Sequence, residues 1–311
     1  MSKKGNVFFM GIFSTLVGGL FIGDKLYKMA AVPKLHEPDE QHSNEMIQSG
    51  RLWVRNNQDK KDIYLDSLDK LRLHASYISA KEESHKYAIC IHGINDNCEY
   101  MGAYAKHYQE KGFNTLLPDL RGHGKSEGGY AGYGVQDRYD IMQWIYWIIK
   151  RDKDAKIVLH GVSMGAATVL MTTGEHLPEN VIAAVEDSSY TTVRQQFADV
   201  YHMLKGSIFP ASILLWIIRL EIKARADYDI NDGNCIQAAK RSKTPTLFIH
   251  GDSDKFINPK MCKELFEAST VDKEYCTIIG ADHIEGIHVD TEKYWAKIDT
   301  FISKQVGRND L

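Results

Sequence analysis

The run Gly161-Val162-Ser163-Met164-Gly165 lies between an apolar segment, Ile157-Val158-Leu159-His160, and a small-residue, helix-prone segment, Ala166-Ala167-Thr168-Val169-Leu170-Met171. A serine with glycine two residues to each side, at a strand-to-helix turn, reads as a nucleophile elbow. Such a turn is tight. Its central residue takes a strained backbone, and flanking glycines remove the side chains that would collide. The serine Oγ then stands above the sheet at a helix N-terminus, where free N–H groups favour developing negative charge. The same pattern also fits a glycine-rich turn with an N-capping serine. What decides between them is whether an acid and a base follow in the order Ser, Asp or Glu, His.

The surroundings of the elbow predict an α/β fold. Short apolar runs at Tyr87–Ile91, Thr115–Leu117, Ile157–Leu159, Ile182–Val185, Thr246–Ile249 and Tyr275–Ile279 alternate with helical stretches at Met101–Lys111, Val135–Arg151, Pro259–Ala268 and Glu292–Ser303. Alternation of this length implies a mostly parallel central sheet covered by helices on both faces. Two opening strands are expected before it, at Leu52–Arg55 and Leu71–Ile78, as an antiparallel edge.

Sites in such sheets form at the carboxyl ends of the strands. Three strands end in the same dipeptide, at His92-Gly93, His160-Gly161 and His250-Gly251. A metal cluster is one reading. Buried histidines satisfying backbone groups at strand ends is the other, and no H-x-x-x-H or bridging acidic pattern favours ligation. His92-Gly93-Ile94-Asn95 follows the Tyr87–Ile91 strand, where an oxyanion turn belongs. The backbone N–H groups of Ile94 and Met164 are the candidate donors. Asp119-Leu120-Arg121-Gly122-His123-Gly124-Lys125-Ser126 follows the next strand. Asp119 and Arg121 are expected to pair and hold this loop, with His123, upstream of the serine, structural.

After the elbow, His250-Gly251-Asp252-Ser253-Asp254 offers two acids. Asp254 is the candidate, because the chain needs a few residues off the strand end before a carboxylate faces a histidine. Asp252 is expected to bond its own backbone in the turn. Gly280-Ala281-Asp282-His283 follows the last strand and supplies His283 as base, with His288 as the rival. A serine hydroxyl becomes a good nucleophile once a neutral imidazole accepts its proton, and the acid fixes the imidazole's tautomer.

Together, His92-Gly93, Arg121-Gly122-His123-Gly124-Lys125-Ser126, Ser163 in its elbow, and Asp254 with His283 resemble the α/β-hydrolase superfamily. The nearest likeness is to its monoacylglycerol-lipase-like and serine-aminopeptidase-like branch, over roughly residues 86–303. The resemblance implies Ser163 as nucleophile, Asp254 as acid, His283 as base, oxyanion donors on Ile94 and Met164, and no metal or organic cofactor. The turn Gly93-Ile94-Asn95 departs from relatives that carry a second small residue there.

The rest of the chain bounds the setting. A net charge of −3 gives no basic footprint for nucleic acid. Five cysteines without C-x-x-C spacing make a zinc knuckle or a disulfide framework a poor fit. Residues 1–34 carry an uncharged apolar run, 7–22, flanked by Lys3 and Lys4 before it and Asp24, Lys25 and Lys28 after it. It is read as a single-pass membrane anchor, slightly short of a full span and lengthened by snorkelling lysines. A cleaved signal peptide and a buried soluble helix are the alternatives, and the lysines on both flanks leave orientation open. Residues 35–50 read as a linker and 51–311 as the hydrolase domain. The stretch 190–240 is too long for a plain loop and is read as a cap. Its apolar residues include Phe197, Tyr201, Met203, Leu204, Ile208, Phe209 and Ile213–Ile218. They suit either a movable roof over an acyl chain or a helix buried in the core.

The function expected is that of a membrane-anchored serine hydrolase, cleaving a small-molecule or lipid-like carboxylic ester through an acyl-enzyme. A serine peptidase or an acyltransferase with the same triad is the alternative, and a non-catalytic membrane-tethered scaffold is the third reading. Oligomeric state is not legible.

Overall fold

The computed structural model describes residues 23–34, 44–203 and 210–308. Eight strands form one sheet: β1 (Lys61–Asp66), β2 (Arg72–Ile78), β3 (Lys86–Ile91), β4 (Asn114–Pro118), β5 (Lys156–Val162), β6 (Val181–Asp187), β7 (Thr246–Gly251) and β8 (Lys273–Ile278). Their spatial order is β1-β2-β4-β3-β5-β6-β7-β8. β2 pairs antiparallel with β1 and with β4, and all later pairs are parallel. Strands β4 to β7 are buried on both faces, or nearly so, which explains their unbroken apolar runs.

Helices cover both sides. One face carries α2 (Glu45–Asn56), α3 (Gly102–Glu110), the short α10 (Gly286–Val289) and α11 (Thr291–Arg308), packed through Ile47, Tyr104, Tyr108, Tyr294 and Phe301. The other carries α4 (Asp137–Ile149), α5 (Met164–Thr173), α8 (Cys235–Arg241) and α9 (Lys260–Ala268), packed through Trp144, Leu170, Ala238 and Leu265. Every side chain of α5 is buried, so this helix runs through the core behind the elbow. Burying one such leucine or valine fully contributes about 1.5–3 kcal/mol.

Two expectations at the start of the domain are corrected. Leu52–Arg55 is helical, inside α2, and residues 45–50 of the expected linker belong to the same helix. Asn44 caps it, accepting from Met46 N at 2.9 Å. Its buried residues, Ile47, Gly50, Arg51 and Val54, follow helical spacing, whereas Leu52 is exposed. The antiparallel partner of β2 is instead β1, whose residues are half-exposed or exposed throughout.

The expected cap also divides. α6 (Val193–Met203) and α7 (Ala211–Ala226) overlie the serine, while α8 joins the core layer, with Ala238 close against Gly174 at the end of α5. Helical residues 23–31, here α1, lie against α7, where Asp24 pairs with Arg225 at 2.7 Å. The apolar run 7–22, linker residues 35–43 and cap residues Leu204, Ile208 and Phe209 lie outside the described residues. Among the described residues, no helix is long and apolar enough to cross a membrane.

Candidate active site

The parallel strands bring the motif residues to one edge. Ser163 ends β5 and starts α5 with φ 55° and ψ −119°, the strained backbone the elbow requires. Its glycines are needed for space: a Cβ on Gly161 would collide with the Gly165 carbonyl, and one on Gly165 with the carbonyl oxygens of Ile91 and His92. Ser163 N is held by Asp187 O at 2.8 Å.

Ser163 Oγ lies 2.9 Å from His283 Nε2. His283 Nδ1 lies 2.7 Å from Asp254 Oδ2. The structure thus brings Ser163, His283 and Asp254 into one hydrogen-bonded line. His288 lies in α10 with its Nδ1 buried and unpartnered among the described residues. Asp252 does not bond its own backbone. It accepts from Gly280 N at 2.7 Å and so ties the loop that carries Asp254 to the loop that carries His283. Asp282 adds a second tie, accepting from Lys255 N at 3.0 Å and His283 N at 2.8 Å.

Asp254 is fixed from both ends. Its Oδ1 accepts from the N–H groups of Phe256 and Ile257, each at 2.8 Å. Its Oδ2 faces His283 and also His250 Nε2, at 3.0 Å. Burial works against the charge, but the hydrogen bonds from His250 and His283 outweigh it and hold the carboxyl well below the usual carboxylate range. The contact with His250 is one that sequence reasoning missed. The spacing of four residues in His250-Gly251-x-x-Asp254 was its available signal.

Ile94 and Met164 line the same cavity as Ser163, and the backbone N–H of neither has a partner among the described residues. Gly93 packs against the serine, where a Cβ would stand 3.3 Å from Ser163 Cβ. Asn95 takes a left-handed φ of 65°, and its Oδ1 accepts from Lys34 N at 2.8 Å. Two histidines hold this turn. His92 Nδ1 donates to Gly93 O at 2.6 Å while its Nε2 accepts from Leu120 N at 3.1 Å. His123 Nδ1 donates to Arg121 O at 2.9 Å while its Nε2 accepts from Asn95 N at 3.3 Å. Burial pushes the His123 ring down to about 3, so it stays uncharged. His160 instead bonds the Tyr108 and Tyr294 hydroxyls at 3.0 and 3.2 Å. The three strand-end histidines therefore serve three separate networks.

The expected Asp119–Arg121 pair does not form. Asp119 accepts from His74 Nδ1 and Cys98 N, each at 2.7 Å, and from Lys125 N at 2.8 Å. Arg121 turns the other way and forks onto Asp140 at 2.8 and 2.9 Å, with Asp69 at 2.9 Å. Among the described residues, ligand atoms of His74, Cys98 and Asp119 lie within 4.8 Å of one another. Asp119's oxygens are already engaged, and burial pushes the Cys98 thiol well up, so this trio suits a hydrogen-bond network better than a metal.

Above the serine is a cavity of about 280 Å³. Its walls come from α1 (Leu26, Met29, Ala30), α6 (Phe197, Val200, Tyr201) and α7 (Leu214, Leu215, Ile218). No charged side chain lines it among the described residues.

Residues 82–228 match the sequence family described as Serine aminopeptidase, S33. YqkD of Bacillus subtilis, an uncharacterized protein, is 23% identical over 73% of this chain and 74% of its own. The α/β hydrolase domain-containing protein WAV2 of Arabidopsis thaliana is 25% identical over 78% of this chain and 79% of its own. The esterase Pf2001 of Pyrococcus furiosus superimposes with a TM-score of 0.65 at 20% identity, covering 87% of this chain and 99% of that one. In its sheet order and in its likeness to these proteins, this chain has the α/β-hydrolase fold.

Proposed function

We propose that this protein is a serine hydrolase that cleaves carboxylic esters with an apolar acyl group through an acyl-enzyme. The observation that carries the reading is the line Asp254–His283–Ser163, with Ser163 opening into an uncharged, apolar cavity.

In this reading His283 Nε2 takes the proton of Ser163 Oγ as the oxygen attacks the ester carbonyl. Asp254 holds the ring in the Nδ1–H tautomer and stabilises the imidazolium. The oxyanion is received by the N–H groups of Ile94 and Met164, and one such donor contributes about 2.7–4 kcal/mol of barrier lowering. The tetrahedral adduct expels the alcohol, which takes its proton from His283. Water, deprotonated by the same ring, then releases the acid.

The cavity supports an ester over an aminopeptidase substrate. A free α-amino group needs a carboxylate beside it, and the described lining offers none. The likeness to a Pyrococcus furiosus esterase agrees with this. We further propose that the run 7–22 anchors the protein to a membrane. Ile213, Trp216 and Leu220, three exposed apolar residues on one face of α7, fit contact with a bilayer surface.

A fluorophosphonate probe is expected to label the wild type and not Ser163→Ala. Turnover of p-nitrophenyl esters should exceed that of aminoacyl anilides. Labelling that persists in the alanine variant refutes the nucleophile, and preferred anilide turnover refutes the ester assignment.

A further inference from the structure

The chain between the apolar run and the hydrolase domain is fastened to the substrate cavity at several points. Asp24 pairs with Arg225 of α7 at 2.7 Å, and the Arg225 guanidinium lies 4.9 Å from the Tyr27 ring centroid. Ala30 O accepts from Tyr133 Oη at 2.6 Å, and Ala31 O from Ala131 N at 2.7 Å. Lys34 N donates to Asn95 Oδ1 at 2.8 Å, one residue from the oxyanion turn's Ile94. Tyr27 and Ala31 are buried in the main core. A passive tether would need none of these bonds, and its side chains would face water.

Between the fastening points, Leu26 and Ala30 face the cavity that holds Ser163, across from residues of α6 and α7. Without α1, that side of the cavity would stand open beside Tyr133 and Ile94. We propose that residues 23–34 are a strap that completes the acyl pocket, with Leu26 and Ala30 setting the length of acyl chain accepted. This rests on the serine-hydrolase reading above. The physical basis is that an apolar pocket discriminates by volume, at 10–200-fold per methylene gained or lost. The strap also gives the Asn95 side chain a role, as the clasp for Lys34 N.

The test uses the full chain in detergent micelles and the ratio of kcat/KM for p-nitrophenyl decanoate to that for p-nitrophenyl butyrate. Ala30→Phe, which fills the cavity, should lower the ratio at least tenfold. Leu26→Ala, which enlarges it, should raise the ratio at least threefold. Opposite shifts distinguish a pocket wall from a merely structural segment, because general loosening moves both variants the same way. Ratios within twofold of wild type in both variants, or shifts of the same sign, overturn the strap's role. Should Ala30→Phe fail to fold, Leu26→Ala alone decides: a ratio that does not rise overturns the proposal. Fluorophosphonate labelling of Ser163 in the wild type, read in parallel, separates the two levels. Absence of labelling overturns the hydrolase reading and the strap with it, whereas labelling with unmoved ratios overturns the strap alone.

Discussion

Replacing Asp254 by asparagine changes one atom, and the surroundings dictate the consequence. Oδ1 accepts from two backbone N–H groups, those of Phe256 and Ile257, each at 2.8 Å. An amide NH₂ cannot accept, so the new side chain must place its oxygen there. Its NH₂ then occupies the position of Oδ2, facing His283 Nδ1 and His250 Nε2. To be satisfied, the NH₂ donates to His283 Nδ1. That selects the tautomer protonated on Nε2, which donates to Ser163 Oγ and cannot take its proton. His250 meets a second donor where it had an acceptor, although its buried, unpartnered Nδ1 leaves room for the ring to exchange tautomers. The expected loss is about 10⁴ in kcat, which corresponds to about 5.5 kcal/mol in the barrier. It should fall on kcat for an activated ester, because the lost interaction is made in the transition state. The assay is steady-state hydrolysis of p-nitrophenyl butyrate at neutral pH, with urea unfolding to show that the variant is folded. A folded variant within tenfold of wild-type kcat, or a loss wholly in KM, refutes the tautomer argument.

Other perturbations follow from the same geometry. Gly165→Ala sets a methyl against the carbonyl oxygens of Ile91 and His92; it should destabilise by about 1–3 kcal/mol and lower kcat by about 100-fold through displacement of the elbow, read by urea midpoint and ester turnover. Arg121→Lys cannot reproduce the fork onto Asp140 with Asp69 beside it; unfolding in urea should show a loss of about 2 kcal/mol or more. Burial pushes the His160 ring down to about 3, so the unfolded state binds its proton first as pH falls. The stability this neutral ring contributes is present above the unfolded value near 6.5 and is lost as pH drops toward 3. Between pH 7 and 5 the wild type should lose about 2 kcal/mol more than His160→Gln; equal losses in the two proteins would contradict a neutral buried ring.

Much of the site was legible because each part sits within a few residues of a strand end. Ser163, Asp254, His283 and the Ile94 turn could be placed from local pattern, since a parallel sheet brings strand ends together whatever the loops do. What could not be read depends on side-chain direction or on distant contacts. Asp119 and Arg121 are two residues apart, yet one points to His74 and the other to Asp140, and nothing local specifies that split. In α2, three residues, Leu52-Trp53-Val54, suit either period. The helix is decided by the Asn44 cap and by Ile47, Gly50, Arg51 and Val54 meeting α3. β1 is an edge strand in which Lys61, Asp62 and Asp66 flank only three apolar or aromatic residues, Ile63, Tyr64 and Leu65, so its apolar signal is short. The role of α1 rests on pairings 61 and 201 residues apart in sequence, Lys34 with Asn95 and Asp24 with Arg225.

The repeated His-Gly dipeptides show how one local signal can carry different work. A histidine at a strand end has two ring nitrogens where the backbone leaves the ladder, so it can join two loops that share no sequence neighbourhood. His92 uses both, one on Gly93 O and one on Leu120 N, and so couples the Gly93–Asn95 turn to the Arg121-Gly122-His123-Gly124 loop. His250 uses one, shared between Asp254 and Ile257 O, and steadies the Asp254 side chain. His160 points to the opposite face and joins α3 to α11 through two tyrosine hydroxyls. The glycine that follows serves a different need at each place. At Gly93 it admits the serine, at Gly161 it admits the Gly165 carbonyl, and at Gly251 it admits the Ala281 carbonyl, two residues before His283. The dipeptide is therefore a way of bringing backbones close at the end of a strand while keeping their polar groups bonded. Metal ligation by His92 or His160 would withdraw a nitrogen already engaged in these networks.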